Sequence, residues 1–152
     1  MDNLENIREL FQILTRRFGM LNKNCCTAGG IEISLIQSQI LYEIDIQHNP
    51  SIQQIADTLG TDITTFSRQI QSLVKMNLVK KTPDSEDRRI SILSLTTEGK
   101  FIATTINHQI SSYLDEVFSN MNEFERETVI RSLILLNESM AKSSMCCRDI
   151  ME

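Results

Sequence analysis

Three features of this 152-residue sequence predict a mainly α fold. Two capped helical segments are separated by a turn signal at Gly60. A charged, Pro-containing turn then joins two short β-prone runs, and long amphipathic stretches occupy both ends of the chain. That order reads as a winged helix-turn-helix with a two-stranded β wing and N- and C-terminal dimerisation helices.

From Asp2 to Asn22, the residues Leu4, Ile7, Phe11, Leu14, Phe18 and Leu21 alternate at spacings of three and four, which builds a helix with an apolar seam. The seam is terminal and unbroken, so it is expected to pack on, or be exchanged with, a second subunit; the plainer reading is an ordinary amphipathic helix in a monomer core. Cys25-Cys26-Thr27-Ala28-Gly29-Gly30 breaks the pattern, because paired glycines cost about 1 kcal/mol each in a helix interior; a loop is expected there. Ser34 with Gln37 has capping-box spacing and opens a helix through about Gln47, with His48-Asn49-Pro50 ending it. Ser51 with Gln54 repeats the signature and opens a short helix over Ile52 to Leu59, stopped by Gly60.

Thr61 or Asp62 caps the next helix, whose Ile63, Phe66, Ile70, Leu73 and Val74 form the expected inward stripe up to Met76. Asn77 stands where a left-handed residue would close that helix. Leu78 to Thr82 and Ile90 to Leu95 are the wing strands, and Thr96 or Thr97 begins a long helix ending near Asn120. Asn122 with Glu125 makes a third capping box, starting a last helix that runs to about Ser143.

Composition excludes several functions. No stretch approaches the roughly 18 apolar residues needed to span a bilayer, and Asp2, Glu5, Arg8 and Glu9 do not make a basic start followed by an apolar block, so a cytoplasmic protein without a membrane partner is expected. Neither a nucleotide-binding glycine loop nor a Gly-x-Ser-x-Gly elbow nor a metal triad is present; Gly29-Gly30 alone is too weak a signal, and an enzyme is not expected. The net charge of -5 argues against general polyanion affinity. Duplex binding needs only a local basic surface, and from Thr61 to Ile90 the six cations Arg68, Lys75, Lys80, Lys81, Arg88 and Arg89 outnumber Asp62, Asp84, Glu86 and Asp87.

A helix that enters the major groove buries one side in its own domain and presents short polar or guanidinium side chains on the other. The segment from Asp62 to Met76 has Thr64, Thr65, Ser67, Arg68, Gln71 and Ser72 at its expected outward positions. Arg68 suits a guanine edge or a phosphate, Gln71 an adenine, and the threonine methyls thymine; the sequence leaves these options open. At the tip of the wing, Arg88 and Arg89 are candidates for a narrow minor groove, with Asp87 placed to pair with one of them and fix its direction. The rival reading is a winged helix that binds only protein, in which Arg68 and Arg89 would be dispensable.

These residues resemble the MarR family of transcriptional regulators. The likeness lies in Ser51 to Gly60, Thr64 to Leu73, Asn77-Leu78-Val79, and above all Asp87-Arg88-Arg89 followed by Leu93-Ser94-Leu95-Thr96-Thr97-Glu98-Gly99, and it covers roughly Ile31 to Leu136. Asn77 departs from the glycine common in the family, with consequences only for helix-end stability. The resemblance implies a single domain over residues 1–152, with 31–99 as the DNA-binding lobe and 1–30 and 100–152 as dimerisation helices. It further implies a triangular homodimer on pseudo-palindromic operator DNA, usually a repressor released by an effector, with no required cofactor.

Four cysteines in two adjacent pairs, Cys25-Cys26 and Cys146-Cys147, form the second unusual feature. Structural disulfides are not expected in a reducing cytoplasm. Thiolates drawn from separate segments could capture a thiophilic metal or trivalent arsenical, or oxidise to a disulfide between segments or subunits, so a thiol-based switch is the expected effector chemistry. Incidental cysteines are the plainer reading. Zinc is less suited, because His48 and His108 are the only histidines and form no His-x-x-x-His pair. A small phenolic or lipophilic ligand, common in the family, is the alternative effector.

Overall fold

In the computed structural model, which describes residues 2–25 and 27–143, helix α1 (Asp2–Cys25) leads into a small antiparallel hairpin, β1 (Thr27–Ala28) and β2 (Ile31–Glu32). Then come α2 (Leu35–Gln47), α3 (Ile52–Leu59), α4 (Ile63–Lys75), the strands β3 (Val79–Pro83) and β4 (Ser91–Leu95), and the helices α5 (Thr97–Ser119) and α6 (Glu123–Ala141). The architecture is a mainly helical winged helix-turn-helix, as its sequence predicts.

The first departure is at the paired glycines. Gly29 (φ 58°) and Gly30 (φ 77°) supply the two consecutive left-handed positions of a tight hairpin turn, so what reads as a loop folds as β1–β2. Ala28 is buried, and Gly29 lies against Phe101 and Ile102, which seats this hairpin on α5.

All three capping boxes form. Ser34 with Gln37, Ser51 with Gln54 and Asn122 with Glu125 each satisfy an orphan amide in both directions. Asp62, rather than Thr61, caps α4, its carboxylate accepting from the amides of Thr64 and Thr65. Gly60 (φ 61°) closes α3 in the left-handed region, and Asn77 (φ 61°) does so after α4.

The core belongs to the lobe. Ile40 and Leu41 of α2, Ile55 of α3, Phe66, Ile70 and Leu73 of α4, and Leu78 and Leu93 of the wing's base are fully enclosed, joined by Ile102 and Ile106 from the first turns of α5. Ile63 and Val74 do not belong to the inward stripe of α4; both lie exposed, because the buried side is narrower than the apolar pattern suggests. Among the described side chains, none on α1 or α6 is buried, and Leu10, Phe18, Phe124, Ile134 and Leu135 all stand open in the single chain.

Two junctions set the position of α4. The hydroxyl of Thr96 donates to the carbonyl of Asn77 (2.7 Å) and accepts from the amide of Gly99 (2.9 Å), while the Thr96 amide donates to the carbonyl of Leu78 (3.1 Å). A Cβ at Gly99 would come within 1.9 Å of the Leu78 carbonyl oxygen, so only glycine lets α5 start this close to the end of α4. At the other junction, the side-chain amide of the buried Gln37 donates to the Ser72 hydroxyl (3.3 Å), tying α2 to α4. An ion pair between Lys100 and Asp45 adds a link from α5 to α2.

Candidate nucleic-acid interface

The exposed side of α4 carries a continuous polar ridge. Thr64, Arg68, Gln71 and Lys75 follow one another at spacings of four, three and four residues, which stacks them along one face, opposite Phe66, Ile70 and Leu73. All four are exposed. Lys75 extends the ridge beyond the positions picked from local chemistry; the same period that marks the buried stripe would have found it.

The flanking positions behave differently. Thr65 is exposed, but its hydroxyl and amide serve the Asp62 cap and hold that carboxyl below the usual carboxylate range. Ser67 is half-buried. Ser72 departs from its expected outward role: it is half-buried, accepts from Gln37 and lies 3.9 Å from the Met76 sulfur, so its hydroxyl is committed within the lobe. The reason is that α2 packs on this flank of α4, so the Ser72 hydroxyl meets Gln37 instead of standing free beside the Arg68 ridge.

In the wing, β3 and β4 pair in antiparallel register from Val79 opposite Leu95 to Pro83 opposite Ser91. Pro83 ends β3 at an edge, where its missing amide leaves no ladder partner unsatisfied. A bridge between Ser51 and Ile92, and a hydrogen bond from the Leu93 amide to the Pro50 carbonyl (2.8 Å), fasten the wing to the start of α3. The turn is closed by the Asp84 amide donating to the Ile90 carbonyl (2.8 Å) and the Ile90 amide to the Asp87 carbonyl (3.0 Å).

Within that turn Asp87 selects Arg89. Its carboxylate accepts from the Arg89 amide (3.0 Å), Nε (3.1 Å) and terminal guanidinium nitrogen (3.1 Å), a fork that aims a side chain otherwise 91% exposed. The guanidinium is also the main reason the Asp87 carboxyl sits below the ordinary carboxylate value. Arg88 is exposed and makes no hydrogen bond or ion pair among the described residues. One preorganised and one free guanidinium thus share the wing tip.

Cys26, Cys146 and Cys147 lie outside the described residues, as does the side chain of Cys25, whose backbone ends α1. Among the described residues no group of three metal-ligating side chains occurs. A cavity of about 440 Å³ lies between α1, α2 and α5 beside the end of α3, where the resemblance alone suggests a pocket for a lipophilic ligand; it is walled by Phe18, Leu35, Leu59, Ile106, Ile110 and Leu114, with polar groups along one side.

The lobe, residues 31–90, matches the MarR family model. The chain is 32% identical over 114 residues to the HTH-type transcriptional regulator PapX of Escherichia coli, covering 74% of this chain and 70% of PapX. It is 26% identical over 121 residues to the HTH-type transcriptional regulator YybA of Bacillus subtilis (strain 168), covering 76% of this chain and 81% of YybA. In fold it is similar to Streptococcus pneumoniae FabT crystallised in complex with DNA, with a TM-score of 0.81 and 18% identity over 91% of this chain and 97% of that one. A lobe that matches the family model, a relative matched over more than two thirds of its length and a shared winged-helix architecture agree: the chain belongs to the MarR family of DNA-binding transcriptional regulators, which are not enzymes.

Proposed function

We propose that the chain is one protomer of a homodimeric repressor that binds a pseudo-palindromic double-stranded operator and is released by an effector. The observation that carries the operator reading is the exposed ridge of α4 beside an aimed arginine on the wing. Arg68 and Gln71, with Thr64, enter the major groove and meet base edges; Thr65 and Ser67 flank them, and Lys75 meets phosphate. Arg89, directed by Asp87, enters the adjacent minor groove, and Arg88 takes the phosphate backbone. The likeness to FabT, which crystallised on DNA, supports this docking.

The exposed apolar residues of α1 and α6 support a dimer, since contiguous apolar surface of that kind marks an interface. A two-fold axis would present two α4 helices to half-sites one helical turn apart.

Operator binding by the purified protein tests the reading, with DNA from its own promoter region in gel shift or anisotropy titrations. Arg68→Ala is expected to cost about 1–3 kcal/mol and relax base preference at one position per half-site. Arg89→Ala is expected to weaken binding more evenly and lower the salt slope by about 1 per wing. Full operator affinity in both variants would instead favour a lobe that binds protein.

For release, thiol chemistry rests on the two cysteine pairs near the ends of the chain, Cys25-Cys26 and Cys146-Cys147. Arsenite or a disulfide-forming oxidant should free the operator, and replacing the cysteines by serine should abolish that effect. A second reading, release by a small lipophilic ligand, is favoured by the cavity between α1, α2 and α5.

A further inference from the structure

We infer that the cavity between α1, α2 and α5 is a site for an amphipathic amine, with Glu43 as the partner of its ammonium group. The inference deepens the second reading of release and rests on it.

The walls are chemically one-sided. Apolar side chains from four helices, among them Phe18, Leu35, Leu59, Ile110 and Leu114, offer a surface for a hydrocarbon tail or ring. The polar side consists of neutral donors and acceptors such as Gln39 and Asn107, together with Glu43, the single carboxylate among the described residues. No Lys, Arg or His lines the cavity among the described residues. Lys100 lines a separate cleft, where Asp45 pairs with it.

Charge complementarity follows. Glu43 is half-buried, and one of its oxygens accepts from the Gln47 amide (2.8 Å), which leaves the other carboxylate oxygen without a hydrogen bond or ion pair among the described residues. An ammonium head group placed there gains a charge-assisted hydrogen bond beside an apolar wall, where the local dielectric is lower than in water. A carboxylate or phenolate ligand entering the same space would meet Glu43 as a like charge and find no cation to offset its lost hydration. Aromatic and aliphatic acids are therefore excluded on electrostatic grounds, although their apolar portions fit the walls equally well.

Three ligands with one tail and different heads separate the possibilities: decylamine, decanol and decanoate, titrated calorimetrically into the full-length protein at neutral pH, with operator binding measured on the same preparation. Decylamine is expected to bind saturably and to weaken operator binding, decanol about tenfold less tightly, and decanoate least of all. Glu43→Gln keeps the shape of the side chain and a hydrogen bond with Gln47, so operator binding by the ligand-free variant should be unchanged while the preference of amine over alcohol disappears. Equal binding of decanoate and decylamine would overturn the inference, as would an amine preference that survives Glu43→Gln. Absence of binding by all three would overturn it too. Retained operator binding in those cases leaves the repressor reading standing; loss of operator binding by the ligand-free wild-type protein would remove that reading instead.

Discussion

Arg89 and Asp87 show how a solvent-exposed pair can matter without contributing much to stability. Exposed ion pairs are weak, and this one is exposed on the arginine side, so its effect is to restrict where a guanidinium points before any ligand arrives. The Asp87 carboxyl is lowered by that guanidinium, so the fork is complete above the ordinary carboxylate value of 3.8 and is lost only as pH falls through the still lower folded value. Asp62 is lowered as well, through Thr65, and its cap follows the same rule. Neither group therefore gives operator binding a pH dependence between about pH 5 and 8. Asp87→Asn should weaken operator binding toward the level of Arg89→Ala across that whole window. A titration in which the wild type loses affinity between pH 7 and 5 while Asp87→Asn does not would place the proton on Asp87 and contradict its lowered value.

At the scale of elements, the position of α4 depends on a few backbone contacts at its ends. The Leu95-Thr96-Thr97-Glu98-Gly99 run, which in sequence is only a family motif, turns out to be a joint: Thr96 grips the Asn77 carbonyl, and Gly99 lets α5 pass against Leu78. Because the obstructing atom at Gly99 is a backbone carbonyl rather than a flexible side chain, Gly99→Ala should destabilise the fold by about 2–3 kcal/mol, measured by urea unfolding. Its operator affinity should fall with the displacement of α4 relative to the wing; an alanine variant as stable as the wild type would contradict the joint. The β1–β2 hairpin illustrates the converse. Cys25 to Gly30 lacks an apolar alternation, so its strands escape a reading by period, yet Gly29-Gly30 is a known hairpin turn pair, and the packing of Ala28 on α5 completes the unit.

For the whole molecule, the division of labour between the lobe and the outer helices is plain in burial. The lobe closes its own core, whereas α1 and α6 present Leu10, Phe18, Phe124 and Leu135 to solvent, with Phe124 78% exposed and Leu135 64% exposed. A monomer with this surface would associate. If the proposed two-fold dimer forms through these helices, Leu133→Asp with Leu135→Asp should halve the mass seen by light scattering. The same change should reduce operator affinity by orders of magnitude, because linking two half-sites multiplies affinity through effective concentration. A variant that stays dimeric would move the interface away from α6.

Much of this protein was legible without coordinates, and the reason is that the deciding signals are local. Caps at Ser34, Ser51 and Asn122, left-handed stops at Gly60 and Asn77, and the alternation of apolar residues in α4 all act within a few residues of sequence, so the order of helices and the wing follows from them. Which side of a helix is used depends on distant neighbours. Only the packing of α2 on α4 turned Ser72 inward to Gln37, only the narrow core left Ile63 and Val74 outside it, and only the arrangement of α1, α2 and α5 formed a cavity with Glu43 as the one carboxylate among its described lining residues. Such contacts join residues tens of positions apart, and no periodicity within one helix carries that information.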